Sequence, residues 1–183
     1  MKRLVIDTET TGLSPYFNKT LTVGMLLIDI EKDFLNILDQ SHTFIKHDIY
    51  NHTSGASRTH KINMKVHEKI SVHPKIACQQ INSFILKNEI QETTILGHNI
   101  GFDKGFLNAL FDQGESLALF HHQSVDTLQI WRHLQKENLV PEKINGKLGS
   151  IAEFFDINYT KAHDALEDTK ITAKVYHEML KLR

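Results

Sequence analysis

Two carboxylates close a short apolar run near the start of the chain, where Arg3-Leu4-Val5-Ile6 leads into Asp7-Thr8-Glu9-Thr10-Thr11-Gly12. Leu4, Val5 and Ile6 read as a buried strand, and the two-residue period of a strand puts Asp7 and Glu9 on one face. Like charges held together repel, and desolvation beside an apolar strand adds to the cost, so cations between them would explain the pairing. A plainer reading leaves both acids in water at a polar strand end. Asp168 poses the same question, because it heads the helical stripe Ile171, Thr172, Val175 and Met179, the face that should be buried. An unpaired buried charge is costly, so a metal ion or a salt bridge must answer it, unless the first turn lies in solvent, where the helix dipole favours an acid. Asp103 falls in the first turn of another expected helix. Oxygen donors without thiolates suit magnesium or manganese rather than zinc. Two such ions about 4 Å apart can activate water and neutralise both oxygens of an in-line displacement at phosphorus. Phosphodiester hydrolysis is the chemistry these side chains favour.

The elements that must position these acids follow from the hydrophobic pattern. After the Gly12 turn and Ser14-Pro15, an extended stretch is expected at 20–30, a charged turn at 31–33, and a third extended stretch from Phe34 or Ile37 to Ile45. Short connections between consecutive strands suggest an antiparallel meander with the opening strand central or nearly so. Residues 47–73 are weakly patterned and are expected to be irregular with one short helix, Ser54 to Ser57 marking a turn or helix start and His60 to Asn63 a helix end. Pro74 suits a first helical position, and Ala77, Ile81, Phe84 and Ile85 then share a stripe. A strand at 93–96 enters a helix bearing Phe102, Phe106, Leu107 and Leu110 through Gly97-His98-Asn99, an α/β unit of the kind at whose strand ends ligands collect. Ser124-Val125 leads into a capped helix at Asp126, a short helix is expected at 149–155, and Asp164 caps a long closing helix with Glu167 three residues on. Five helical residues rotate through about 500°, so His163 can share a site with Asp168 only from outside the helix N-terminus, which a cap at Asp164 allows.

Bulk properties narrow the field. At 183 residues, 40% hydrophobic and 23% charged, the chain is expected to form one domain, 1–183, with a core that needs no disulfides. The chain opens directly on its strand and contains no apolar run of membrane-spanning length, so a cytoplasmic location without a membrane partner is the expectation. A net charge of -1 excludes a stoichiometric nucleic-acid coat but not a nucleic-acid enzyme, whose bound cations would reverse the sign of an acidic site. One cysteine, Cys78, rules out an intrachain disulfide framework and is expected to pack in a helix. The twelve histidines are scattered and are read mostly as surface residues.

Three blocks, in order, carry a family resemblance: DTETTG at 7–12, GHNIGFD at 97–103 and HDALEDT at 163–169, with VDTL at 125–128 and Lys147-Leu148 as secondary matches. With these the chain resembles the DEDDh-type 3'-5' exonucleases, DnaQ-like enzymes that include the proofreading epsilon subunit of bacterial replicative DNA polymerase. The resemblance spans nearly the whole chain. It implies an α/β, ribonuclease H-like fold, a central mixed sheet flanked by helices. It implies two magnesium or manganese ions held by Asp7, Glu9, Asp103 and Asp168, with His163 as general base for the attacking water. It also implies substrate contacts from Thr10 and Thr11 to the 3'-hydroxyl, from Leu13 to the terminal base, from Phe102 under the scissile end, and from His98 and Asn99 of the middle block. Ile100 departs from the small residue usual there and should narrow the groove or face the core. The activity implied is release of nucleoside monophosphates from the 3' end of single-stranded or frayed DNA, alone or beside a DNA polymerase. Two rivals remain: an RNA-trimming enzyme with the same acids, and a catalytically silent module that holds a polymerase or a nucleic-acid end. The complete acid set argues against the silent module.

Overall fold

The computed structural model describes residues 1–50, 62–159 and 164–182. Five strands form one sheet: β1 (Lys2–Thr10), β2 (Thr20–Ile30), β3 (Leu35–Phe44), β4 (Ile95–Gly97) and β5 (Ser124–Asp126). Their order is β3-β2-β1-β4-β5. The first three pair antiparallel as a meander, and β4 and β5 add in parallel on the other side of β1. β1 is therefore central, as its uninterrupted apolar start requires of a strand covered on both faces. β2 is buried almost throughout, whereas edge strand β3 is mostly open to solvent and exposes Ile37 and Leu38.

Among the described residues the helices are α1 (Met64–Ile70), α2 (Pro74–Lys87), α3 (Gly101–Gln113), α4 (Thr127–Lys136), α5 (Leu148–Phe154) and α6 (Ala165–Lys181). Pro74 opens α2, and Ala77, Ile81, Phe84 and Ile85 are buried along its stripe. Alternation along β1 divides the core. Leu4 and Ile6, with Val23, Met25 and Leu27 of β2, pack under α2 and α3. Val5, with Leu26 and Ile28, packs against Ala173 and Tyr176 of α6. A third cluster joins Trp131 and Leu134 of α4, Ile151 of α5, and Val175 and Met179 of α6. Cys78 packs in the first cluster and Ile100 beside it, so Ile100 faces the core.

One local expectation needs correction. Asn63 does not end a helix but starts one: its side chain accepts from Lys65 N and Val66 N, capping α1. The turn read at Ser54 to Ser57, and His60, lie outside the described residues. His47 and His67 are the buried exceptions among the described histidines, and Nε2 of each ring donates to a backbone carbonyl at the start of β2, that of Thr20 (2.7 Å) and that of Leu21 (3.1 Å) respectively. Among the described residues no helix is long and apolar enough to cross a membrane.

Candidate active site

The period of β1 decides which side each catalytic-type residue takes. Val5 faces α6, so Asp7 and Glu9 continue on that face toward the carboxyl end of the strand. Opposite Asp7 on β2 stands Gly24. The backbone of Ala165 lies so close there that any side chain at this position would collide with it, and the contact seats the first turn of α6 against the sheet. Asp164 caps that turn by accepting from Leu166 N and Glu167 N, both at 3.1 Å. Asp168, one turn on, then faces the strand and is buried. Ligand oxygens of Asp7, Glu9 and Asp168 all lie within 4.8 Å of one another.

Asp103 stands outside this group and approaches from the other side of β1. It is buried in the first turn of α3, and its Oδ1 accepts a 2.7 Å hydrogen bond from Thr8 Oγ1, the strand residue that faces α3. Its charge still reaches the cluster. The Asp7 carboxyl is raised well above its ordinary range, first by desolvation and then by the charges of Asp103, Asp168, Glu9 and Asp164. Glu9 is pushed up to about 8 by burial and then by Asp168, Asp164 and Asp103. Asp103 is pushed up to about 7 by burial, although the Thr8 hydrogen bond pulls the other way. Among the described residues no lysine or arginine forms a salt bridge with Asp7, Glu9 or Asp103. Oxygen donors this close and largely withdrawn from solvent fit a hard divalent cation. A cavity of about 310 Å³ opens beside the acids, with Glu9 and Asp164 at its wall and Phe44, Val66 and Ile70 lining the rest.

The expected substrate contacts fare unequally. Leu13 is 83% exposed, so it is no core residue. Thr10 donates to Gly12 O at 2.7 Å and shapes the turn. Thr11 has no exposed surface, and its hydroxyl accepts from Lys19 N at 2.8 Å, so its side chain builds the turn. His98 is also committed inside the protein: Nε2 donates to Gly146 O and Nδ1 meets Thr127 Oγ1, both at 2.9 Å, so it braces loops rather than facing a ligand. Asn99 is exposed with φ 58°, a left-handed conformation that asparagine tolerates. Its backbone N–H donates to Asp126 Oδ1 at 2.8 Å. Phe102 is partly buried, its ring 4.8 Å from that of Phe106. His163 lies outside the described residues.

Sequence reasoning passed over Thr8, Gly24 and Tyr159. Tyr159 packs its ring on Gly149, and its phenol is pushed up by burial and by the charges of Asp168, Asp7 and Glu9. Thr8 had a signal, since strand alternation assigns it to the face opposite Asp7. Gly24 had a weaker one, a glycine inside an otherwise unbroken apolar strand.

A mixed sheet in this order, with acids at the end of its central strand and on the closing helix, defines a ribonuclease H-like fold. The RNase T exonuclease family model matches residues 4–176, and the chain belongs to that family of DnaQ-like 3'-5' exonucleases. The chain is 29% identical over 178 residues to the PolC-type DNA polymerase III of Caldanaerobacter subterraneus subsp. tengcongensis. It is 26% identical over 178 residues to that of Bacillus subtilis. Each match covers 97% of this chain but only 11% of the polymerase. Among solved structures, E. coli exonuclease I in complex with a dT13 oligonucleotide superposes with TM-score 0.80 at 20% identity, over 97% of this chain and 40% of that one. Cell-death related nuclease 4 gives TM-score 0.81 at 13% identity, over 99% and 64%. Likeness at these identities speaks to the fold.

Proposed function

We propose that residues 1–183 act as one metal-dependent 3'-5' exonuclease domain that releases nucleoside monophosphates from single-stranded or frayed DNA. The observation that carries this reading is the convergence of Asp7, Glu9 and Asp168 within 4.8 Å, from a strand and a helix far apart in sequence. DNA as substrate is supported by the PolC-type polymerases the chain resembles and by the oligonucleotide held in the exonuclease I complex. The polymerases also support a DNA polymerase as partner and a cytoplasmic site of action.

Asp7, Glu9 and Asp168 would hold two magnesium or manganese ions, with Asp103 as the fourth acid, supported from behind by Thr8. Bound ions would polarise the phosphoryl oxygen, lower the pKa of a water and stabilise the leaving oxygen. His163, directly before the cap of α6, takes the proton from that water. The turn at 10–12, locked by Thr10 and Thr11, closes the groove beyond the last nucleotide, and Leu13, Asn99 and Phe102 border that nucleotide. Matched end-labelled DNA and RNA strands, incubated with and without magnesium, test the reading. One-nucleotide steps from the 3' end of DNA, only with the cation, are expected. Shortening of RNA alone would give the RNA-trimming enzyme, and no cleavage of either would leave the silent module.

A further inference from the structure

Resting on the exonuclease reading above, we propose that the closed loop at residues 11–19 is a stacking platform for unpaired bases of the substrate strand, with Tyr16 and Phe17 as its contacts. The loop follows the catalytic turn without a break. Its exposed side chains are large and apolar: Leu13 is 83% exposed, Tyr16 92% and Phe17 74%. Single exposed apolar residues are ordinary on a protein surface. Three within five positions, beside a reaction centre, on a loop fixed from inside, are a different matter.

The fixing is extensive. Thr11 N donates to Lys19 O at 2.9 Å and Lys19 N returns to Thr11 Oγ1, so the two stems are bonded to each other. Phe17 N and Asn18 N both donate to Ser14 O, at 3.1 and 2.8 Å, which winds the loop into one turn. Ser14 N donates to the Asn18 side chain at 3.1 Å, and Asn18 is tucked beneath Gly12 so tightly that a side chain at Gly12 would collide with it. Pro15 packs over Gly105 of α3, tying the loop to the helix that carries Asp103. The aromatic rings are thus presented by a backbone with little freedom left to lose. Ordering costs on binding are correspondingly small.

The chemistry favours nucleobases over other apolar partners. Residues 11–19 contain Lys19 and no acidic residue, in a chain whose overall charge is -1. Aromatic faces beside a cation suit single-stranded nucleic acid, because every base offers a π-face and every linkage a negative charge. Such a grip tolerates any base, which an enzyme that consumes its strand stepwise needs. With the terminal nucleotide at the acids and its base by Leu13, the neighbouring unpaired bases are the groups within reach of Tyr16 and Phe17.

The test compares the parent with a Tyr16→Ala/Phe17→Ala double variant and a Tyr16→Phe/Phe17→Trp variant. Three substrates are used: the p-nitrophenyl ester of thymidine 5'-monophosphate, a short single-stranded DNA, and the same DNA abasic at every position except the last. Binding of the labelled strands in calcium is followed by fluorescence anisotropy. The alanine variant is expected to raise KM and Kd for the normal strand by about 10- to 100-fold, with kcat and hydrolysis of the ester unchanged. The abasic strand should be held weakly and alike by all three proteins, and the aromatic exchange should restore the parental KM. Unchanged KM and Kd in the alanine variant overturn the platform. Equal losses on normal and abasic strands overturn stacking as its basis. If KM is unchanged but a dimeric parent becomes monomeric in sedimentation, the loop is a self-association surface instead. A parent that binds the strand through these aromatics yet cleaves nothing sinks the exonuclease reading and leaves the platform standing.

Discussion

Thr8 and Asp103 are 95 positions apart in sequence, yet Thr8 Oγ1 donates a 2.7 Å hydrogen bond to Asp103 Oδ1 behind the acid cluster. The bond favours the ionised carboxylate, against burial that pushes Asp103 up to about 7. Thr8→Val keeps the shape and removes the donor. The Asp103 carboxyl should then rise further, and the variant should lose about 1–3 kcal/mol at pH 8, where the carboxylate would lose its side-chain donor. At pH 5 the acid is protonated in either protein, so the difference should shrink. Urea titrations at the two pH values check this, with Thr8→Ser expected to behave as the parent. A penalty of equal size at both would mean that Thr8 acts by packing alone.

Removing one charge from the cluster should separate activity from stability. Asp7 is raised chiefly by desolvation and by four neighbouring acids, so Asp7→Asn relieves repulsion in the cation-free protein while deleting a proposed ligand. Melting in chelator is expected to be no lower than that of the parent, whereas hydrolysis is lost and added magnesium no longer raises the melting temperature. Full hydrolysis by this variant would dismiss Asp7 as a ligand.

The same shifts fix the sign of the pH dependence. Glu9 and Asp103, at about 8 and about 7, bind protons in the folded state at pH values where the unfolded chain has released them. Their contribution to stability is full below the unfolded carboxylate range and is lost as pH rises through the folded values. In chelator, therefore, stability should fall between about pH 5 and 8, with a slope limited to about 1.4 kcal/mol per pH unit for each group. Saturating magnesium should flatten or invert that slope, since a bound cation favours the ionised form. Thermal melts across pH in both conditions provide the measurement, and identical slopes would remove the case for a cation at these acids.

Gly24 makes a geometric prediction. Its lack of a side chain lets the backbone of Ala165 rest on β2 opposite Asp7. Gly24→Ala must push α6 outward at its first turn, moving Asp168 away from Asp7 and Glu9. A stability loss of about 1–3 kcal/mol is expected from the overpacking, together with weaker magnesium binding and reduced turnover. Calorimetric titration of the variant with magnesium checks the ligand geometry apart from the fold.

Much of this arrangement could be read from residue order. The continuous apolar run of β2 and the polar turn after it placed the meander closely, and the strand period put Asp7 and Glu9 on one face as observed. Asp164 declared the cap of α6 through the Glu167 spacing, and with it the orientation of Asp168. What could not be read depends on contacts between distant segments. Nothing local to Thr8 says that α3 will bring Asp103 to it, and nothing near His98 says that Gly146 and Thr127 will occupy both its ring nitrogens. Nor does anything local to Thr11 say that its hydroxyl will accept from Lys19 N across the loop. The short helix α1 was displaced because Asn63 reads equally well as an end or a start until its two capped N–H groups are seen.

His163 divides enzyme from silent module. Asp164 caps α6 through Leu166 N and Glu167 N, and His163 directly precedes that cap in sequence. If His163 serves this site, the acids there would favour a protonated imidazole in the cation-free protein, and bound cations would oppose it. The loaded enzyme should hold a neutral base near pH 7. Positioned general bases contribute about 10²–10⁴ in rate, so His163→Ala is expected to lower kcat by that order while magnesium binding and 3'-end binding persist. The acid limb of the pH–rate profile, which reports protonation of the base, should vanish with it. Parental turnover with an unaltered acid limb would reduce His163 to the residue before a helix cap and leave the base to be sought elsewhere.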